Sequence, residues 1–207
     1  MSVNAPSIKG SGISSLIEDL AKMRDEGRLP SALLEERLTA ADRALLDRPV
    51  NLAGWYDIHS YRRLAELLCE IEGRRESLMR ERGAAAADRL AAAGLYQQME
   101  TVTRLRSTED LDGDDAFQAY GRLLRLITTL SGSLLSFSRF RVEVDPEHGD
   151  RYCIHISDAD DFPEVLAYTT EGFINAMAKM GSGRGRTDSW VLDRSDGELR
   201  YRMQRPV

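Results

Sequence analysis

The sequence predicts an α+β fold in which N-terminal helices pack on a C-terminal twisted antiparallel sheet of about four strands. Through the first two-thirds of the chain, apolar residues recur every three or four positions, as they do along one face of a helix. From about position 135 they alternate with polar residues instead, which is typical of half-buried strands. The last third is therefore predicted to form a β-hairpin, a helix and a second β-hairpin.

Length and composition place the chain among ordinary folded proteins. Its 207 residues can bury a sizeable core in one domain, and a net charge of −6 argues against a general nucleic-acid binder, because such binding depends on excess Lys and Arg. No run of eighteen apolar residues predicts a membrane span. The polar N-terminus lacks the apolar core of a signal peptide, so we expect a cytoplasmic protein, and high Ala and Arg usage suggests a bacterial one.

The domain organisation is predicted as a disordered leader over residues 1–12 and a single α+β domain over residues 13–207. Within that domain, residues 13–132 form the helical part and residues 133–207 the mixed part. Glycine, proline and acidic turns separate the helices of the first part, and Gly73 marks a break. The expected helices lie at about residues 15–26, 31–38, 39–46, 57–71, 84–100 and 116–130.

The mixed part contains two hairpin signals around one helix. Residues 140–145 and 152–156 alternate in polarity on either side of a turn at residues 146–150. Pro163 is well placed to start a helix that ends near Met180. Residues 189–193 and 199–203 flank an Asp-Gly pair, which favours a tight turn.

One cluster of side chains is a candidate ligand site. Trp55, Tyr56, His59 and Tyr61 place an imidazole and three aromatic rings at the start of a helix. An aromatic pocket with one titratable group suits a small molecule or haem. The alternative is that Trp55 and Tyr56 pack the loop on the core while His59 faces solvent.

Metal binding and catalysis have no comparable support in the sequence. The three histidines are scattered, and neither cysteine has a neighbouring ligand, so no metal site is expected. Asp158, Asp160 and Asp161 precede a helix that contains Glu171, and paired carboxylates can act as acid and base, although helix capping explains them better. No catalytic residue is assigned and no enzyme is expected; an unrecognised enzyme stays open as an alternative.

The C-terminal third resembles a known protein group. The resemblance rests on residues 140–145, 151–157, 171–174, 190–192 and 199–202, together with Trp55 and Tyr56 ahead of the helix that contains Tyr61. These segments resemble an uncharacterised myxobacterial paralogous family, whose layout is similar to haem-NO-binding, vinyl-reductase-type and TRAPP-like domains. The resemblance covers about residues 30–205.

The resemblance implies a ligand-sensing or protein-docking module, often dimeric. Haem sensors of this layout use a helix histidine and a Tyr-x-Ser-x-Arg clamp, whereas residues 136–139 lack the tyrosine and the matching helix lacks a histidine. No cofactor, and no haem, is therefore expected. The first hypothesis is a non-enzymatic regulatory or scaffold domain that pairs with itself or another protein and accepts a small apolar ligand. The alternative is a haem or other small-molecule sensor centred on His59.

Overall fold

The computed structural model describes residues 5–92, 113–181, 190–195 and 198–206. Over these residues the predicted α+β class is confirmed: helices precede a four-stranded antiparallel sheet, and one helix lies between its two hairpins. The helices are α1 Gly10–Asp25, α2 Ser31–Arg37, α3 Ala40–Leu45, α4 Ile58–Glu72, α5 Glu76–Ala92, α6 Gly113–Gly132 and α7 Glu164–Gly181. The strands are β1 Ser7–Lys9, β2 Trp55–Asp57, β3 Arg139–Asp145, β4 His148–Ser157, β5 Trp190–Ser195 and β6 Glu198–Met203.

The main sheet has the strand order β3-β4-β6-β5, and every neighbouring pair is antiparallel. Alternation places one face of the sheet in the core, where Ile154, Ile156, Leu199 and Tyr201 are almost fully buried. The Tyr201 hydroxyl donates a hydrogen bond of 2.9 Å to the carbonyl oxygen of Ala167 in α7. The helical and mixed parts therefore share one continuous core.

The predicted disordered leader is wrong for residues 7–12. β1 pairs with β2, and α1 already begins at Gly10. On its other side, β1 is held by the segment after α6: the amide of Lys9 donates to the carbonyl of Leu134, and that of Ser136 to the carbonyl of Ser7. These partners are distant in sequence, so a polar N-terminus with no local pattern gave no sign of them.

Helix α4 follows the predicted pattern closely. The side chain of Asp57 caps its first turn by accepting from the His59 amide at 2.9 Å, and the helix ends at Gly73, which adopts a left-handed φ of 65°. Trp55 and Tyr56, which we expected in a loop, form β2 instead. Helix α5 starts at Glu76, earlier than predicted, and its expected continuation to residue 100 lies beyond the described residues.

Helices α5 and α7 cross unusually closely because each contributes a glycine at the contact. A Cβ at Gly83 would collide with the carbonyl oxygen of Thr169 and would lie 2.7 Å from the amide nitrogen of Phe173. A Cβ at Gly172 would collide with the backbone of Arg80 in the same way. Beside the crossing, the Arg80 guanidinium donates to the buried carboxylate of Glu171 at 2.9 Å.

A second ion pair with a buried carboxylate fixes the short helix α3. Asp42 is fully buried, completes a capping box with Thr39, and accepts two hydrogen bonds from Arg63 of α4 at 2.6 and 2.9 Å. Burial raises the pKa of Asp42, but the hydrogen bonds from Arg63 and Thr39 outweigh that effect and hold the pKa far below its usual range. This pair ties α3 to the helix that carries Tyr61.

The helices of the described ranges are too short or too polar to cross a bilayer. Residues 93–112, residues 182–189 and the Asp-Gly turn at 196–197 lie outside the described residues. The pairing of Ser195 with Glu198 nevertheless brackets that last turn as the sequence predicts.

Candidate functional site

The best candidate site is an apolar cavity between α1, α5, α6 and α7. Its volume is about 410 Å³, within the range of roughly 300–1,000 Å³ that is typical of small-molecule sites. Ile8 and Leu16 line it on one side, Ile127 and Leu135 on another, and Phe173 on a third. We call this space the central cavity.

Three polar atoms lie together in the wall of the central cavity. Tyr61 of α4, Met79 of α5 and Thr169 of α7 all line it, and the hydroxyl of Thr169 lies 3.4 Å from the hydroxyl of Tyr61 and 3.7 Å from the sulfur of Met79. Thr169 has one hydroxyl proton, and a 2.8 Å contact to the carbonyl of Val165 is the best acceptor for it. The Tyr61 hydroxyl therefore donates to Thr169 over a long and weak contact.

Burial dominates the chemistry of this cluster. Tyr61 is only 4% exposed and Met79 is fully buried. Burial raises the pKa of Tyr61, while the hydrogen bond with Thr169 and the positive charge of Arg82 act in the opposite direction. Tyr61 is thus a neutral, poorly satisfied hydroxyl at the edge of an apolar space, and its oxygen is available to a ligand that enters there.

Arg82 brings a charge to this otherwise apolar wall. Its side chain is 20% exposed, and its guanidinium forms an ion pair with Asp19 and donates to the hydroxyl of Ser15 at 3.2 Å, both on α1. Arg89 lies two turns further along α5 on the same face and is exposed at the rim. Helix α5 therefore presents Met79, Arg82 and Arg89 along one edge of the central cavity.

A second depression is of similar volume but chemically different. It has a volume of about 460 Å³ and lies between α4 and the loop before α7, where charged side chains dominate its lining. Arg75 pairs with Glu164 at 2.8 Å and Arg62 pairs with Glu66 at 3.0 Å, so these charges neutralise each other. We call this space the polar cleft, and we favour the central cavity because apolar walls are what bind small molecules.

The structure separates the four residues of the sequence-predicted site. Tyr61 lines the central cavity, whereas His59 is exposed and lines the polar cleft. Trp55 is 50% exposed under the ammonium group of Lys9, which lies 5.4 Å from its ring centre. The hydroxyl of Tyr56 accepts a hydrogen bond from the amide of Asn51 at 2.9 Å, so this ring packs its own loop.

The carboxylates considered for catalysis are also separated. Asp160 and Asp161 line the polar cleft, while Glu171 is buried against Arg80 at the crossing of α5 and α7. Within the described ranges, no three His, Cys, Asp or Glu side chains are grouped as a metal site would require. Cys153 is buried, and burial raises the pKa of its thiol to about 11.

Met79, Arg82 and Thr169 are the site residues that the sequence did not reveal. The signal on α5 was visible in part, because Met79, Gly83, Ala86 and Leu90 recur at helical spacing with small residues among them. Such a stripe predicts a buried face but does not indicate an open space behind it. Thr169 lies 108 positions from Tyr61, and no local pattern links the two.

The fold is similar to that of a haem NO/oxygen-binding (H-NOX) protein. An H-NOX protein from S. oneidensis in the Fe(II)NO ligation state superposes with a TM-score of 0.51 at 12% identity, covering 95% of this chain and 98% of that one. An oxygen-binding H-NOX domain related to soluble guanylate cyclases, in its oxygen complex, has a TM-score of 0.47 at 13% identity, covering 96% of each chain. No family model and no curated protein matches the sequence.

These neighbours correct one expectation from the sequence. We expected no cofactor and disfavoured haem because the histidine and the tyrosine of the clamp are missing. The S. oneidensis H-NOX protein, which shares this fold, carries iron(II) with NO, so the expectation is contradicted. The haem-NO-binding layout inferred from the resemblance is confirmed as a fold, whereas kinship with a myxobacterial family remains a prediction.

Proposed function

We propose that this protein is a ligand-sensing domain that binds haem or a similar flat apolar molecule in the central cavity. The observation that carries the proposal is the cavity itself: about 410 Å³ of apolar space, with the poorly satisfied Tyr61 hydroxyl in its wall. The shared fold with an H-NOX protein supports the choice of haem as the first ligand to test. The ligand site is thus centred on the central cavity rather than on His59.

The side chains of the cavity include atoms that can bind haem iron. Haem iron is held in proteins by histidine, cysteine, methionine or tyrosine. Tyr61 and Met79 supply an oxygen and a sulfur to the cavity, and they are the residues that would hold the iron. Bound iron would supply the gas-binding chemistry of a sensor, while the apolar walls would exclude water from it.

A hemin titration with a blocked cavity tests this proposal. Ala86 lines the central cavity, whereas its neighbour Ala85 is exposed on the outside of α5. We expect the unmodified protein to bind one hemin with a Soret band distinct from that of free hemin. Ala86→Phe should lose this band because the ring fills the cavity, and Ala85→Phe should keep it.

Two outcomes of the titration would contradict the proposal. Equal binding by the two variants would place the ligand elsewhere on the protein. Failure of the unmodified protein to bind hemin would remove haem, and a screen of flat apolar molecules by thermal shift would then decide whether the cavity binds any ligand.

Docking on another protein, or on a second copy, is the second candidate function. Leu52 on the loop before β2 is 58% exposed and Trp55, the first residue of β2, is 50% exposed, and large exposed apolar side chains near each other in the chain favour an interface. Homodimer formation remains a prediction. Light scattering on the unmodified protein and on Trp55→Ser checks it: a dimer that Trp55→Ser dissociates supports this interface, and a concentration-independent monomer contradicts it.

A further inference from the structure

Arg82 stands out because it places a charge where the surrounding wall is apolar. Its side chain is 20% exposed, and Gly83 and Ala86 are its neighbours along the cavity-facing edge of α5. A guanidinium is costly to remove from water unless it is paired. The structure pairs it with Asp19, whose side chain is 51% exposed, and with the hydroxyl of Ser15.

Among the described residues, these two contacts leave N–H donors of the guanidinium without a partner. Arginine has five N–H donors in a planar fork, and the contacts to Asp19 and Ser15 account for two of them. An ion pair with an exposed partner is weak because water screens it. The Asp19 contact therefore orients the guanidinium, which can still donate hydrogen bonds to a ligand.

We propose that Arg82 recognises the acidic group of the ligand, and that the ligand class is an apolar molecule carrying a carboxylate. The inference rests on the proposed function, because it assigns the chemistry of the same cavity. A planar guanidinium matches a carboxylate through two parallel hydrogen bonds, and the leucine, isoleucine and phenylalanine walls match the apolar body. Porphyrin carboxylates and fatty acids share this chemistry.

Two other arginines are less suited to this role. Arg139 belongs to the segment that the resemblance compares with a haem clamp, but its side chain is 85% exposed and pairs with Asp158 at 3.4 Å. Arg89 lines the rim of the central cavity, where it is exposed to water. A charge-assisted hydrogen bond is stronger away from water, so Arg82 is the better partner for a carboxylate.

The test compares acids with their neutral esters. Protoporphyrin IX lacks iron and fluoresces, so its binding is independent of Tyr61 and Met79 as iron ligands. We expect the unmodified protein to bind protoporphyrin IX roughly tenfold or more tightly than its dimethyl ester, because charge-assisted hydrogen bonds are lost in the ester. Arg82→Met should lower the affinity for the porphyrin acid to that for the ester and leave the affinity for the ester unchanged. Arg89→Met should preserve the preference for the acid over the ester.

Further measurements distinguish a porphyrin carboxylate from a fatty-acid carboxylate, and distinguish failure of the Arg82 proposal from failure of the proposed function. Displacement of the porphyrin by palmitate but not by methyl palmitate would extend the class to fatty acids, and its absence would restrict the class to porphyrin acids. Equal binding of acid and ester by the unmodified protein would overturn the role of Arg82, and so would an acid preference that survives in Arg82→Met. Loss of all porphyrin binding in the unmodified protein would refute the proposed function as well.

Discussion

The close crossing of α5 and α7 predicts that Gly83→Ala destabilises the protein although alanine is the better helix former. The added Cβ would lie 2.7 Å from the amide nitrogen of Phe173 and closer still to the carbonyl oxygen of Thr169. Both atoms belong to the backbone, so no side-chain rotation relieves the overlap. Relieving the contact with the Phe173 nitrogen alone requires a separation of about 0.7 Å to reach an ordinary distance of 3.4 Å, and the closer Thr169 oxygen requires more.

The expected magnitude follows from two opposing contributions. Overpacking of a tight contact costs about 1–3 kcal/mol, and replacing glycine by alanine inside a helix stabilises by roughly 0.5–1 kcal/mol. We expect Gly83→Ala to lower the free energy of unfolding by about 1–2 kcal/mol. Because Gly83 and Thr169 line the central cavity, the same separation should also weaken ligand binding.

Gly132→Ala is the matched control. Gly132 lies in α6, and a Cβ there would meet only a side-chain carbon of Phe140 at 3.6 Å, an ordinary contact. We expect it to be neutral or to stabilise by up to about 1 kcal/mol. Urea unfolding measures both variants, and the dependence of the unfolding free energy on urea concentration should be unchanged in each. Equal midpoints for the two variants would show that the α5–α7 crossing is looser than described and would refute the expected overlap.

Two further predictions concern buried polar groups. Asp42→Asn should lower the free energy of unfolding at pH 7 by roughly 3 kcal/mol because it removes the ion pair between the buried carboxylate and the partly exposed Arg63. The folded pKa of Asp42 lies below its unfolded value of about 3.9, so the stabilisation is complete above that pH and is lost as the pH falls below it. Urea unfolding of the unmodified protein and of Asp42→Asn between pH 7 and pH 3 should show their difference in unfolding free energy shrinking. A difference that stays constant would contradict the lowered pKa of Asp42. Tyr61→Phe should retain hemin but change its ferric absorption spectrum, whereas Tyr56→Phe should not; identical spectra for both variants would remove Tyr61 as an iron ligand.

The order of secondary structure could be predicted because it depends on local spacing. Apolar residues at helical spacing along α4, and alternation along β3 and β4, are readable within about ten positions. Gly73 was recognisable as a helix end because a left-handed residue is usually glycine. β1 was not predictable, since its hydrogen bonds go to β2 and to residues 134–136.

The candidate site could be predicted only in part for the same reason. Tyr61 was identified from its neighbourhood, but the three residues grouped with it do not line the central cavity. The residues that do join it, Met79 and Thr169, come from α5 and α7. A cavity is a property of several packed helices, so the sequence of one helix cannot reveal it.

The position of the iron in crystals of the hemin-loaded protein decides whether the cavity walled by α1, α5, α6 and α7 is the ligand site. Anomalous scattering at the iron absorption edge gives that position without assumptions about the fold. We expect one iron peak inside the central cavity, beside Tyr61 and Met79. A peak beside His59 in the polar cleft would contradict the proposed site.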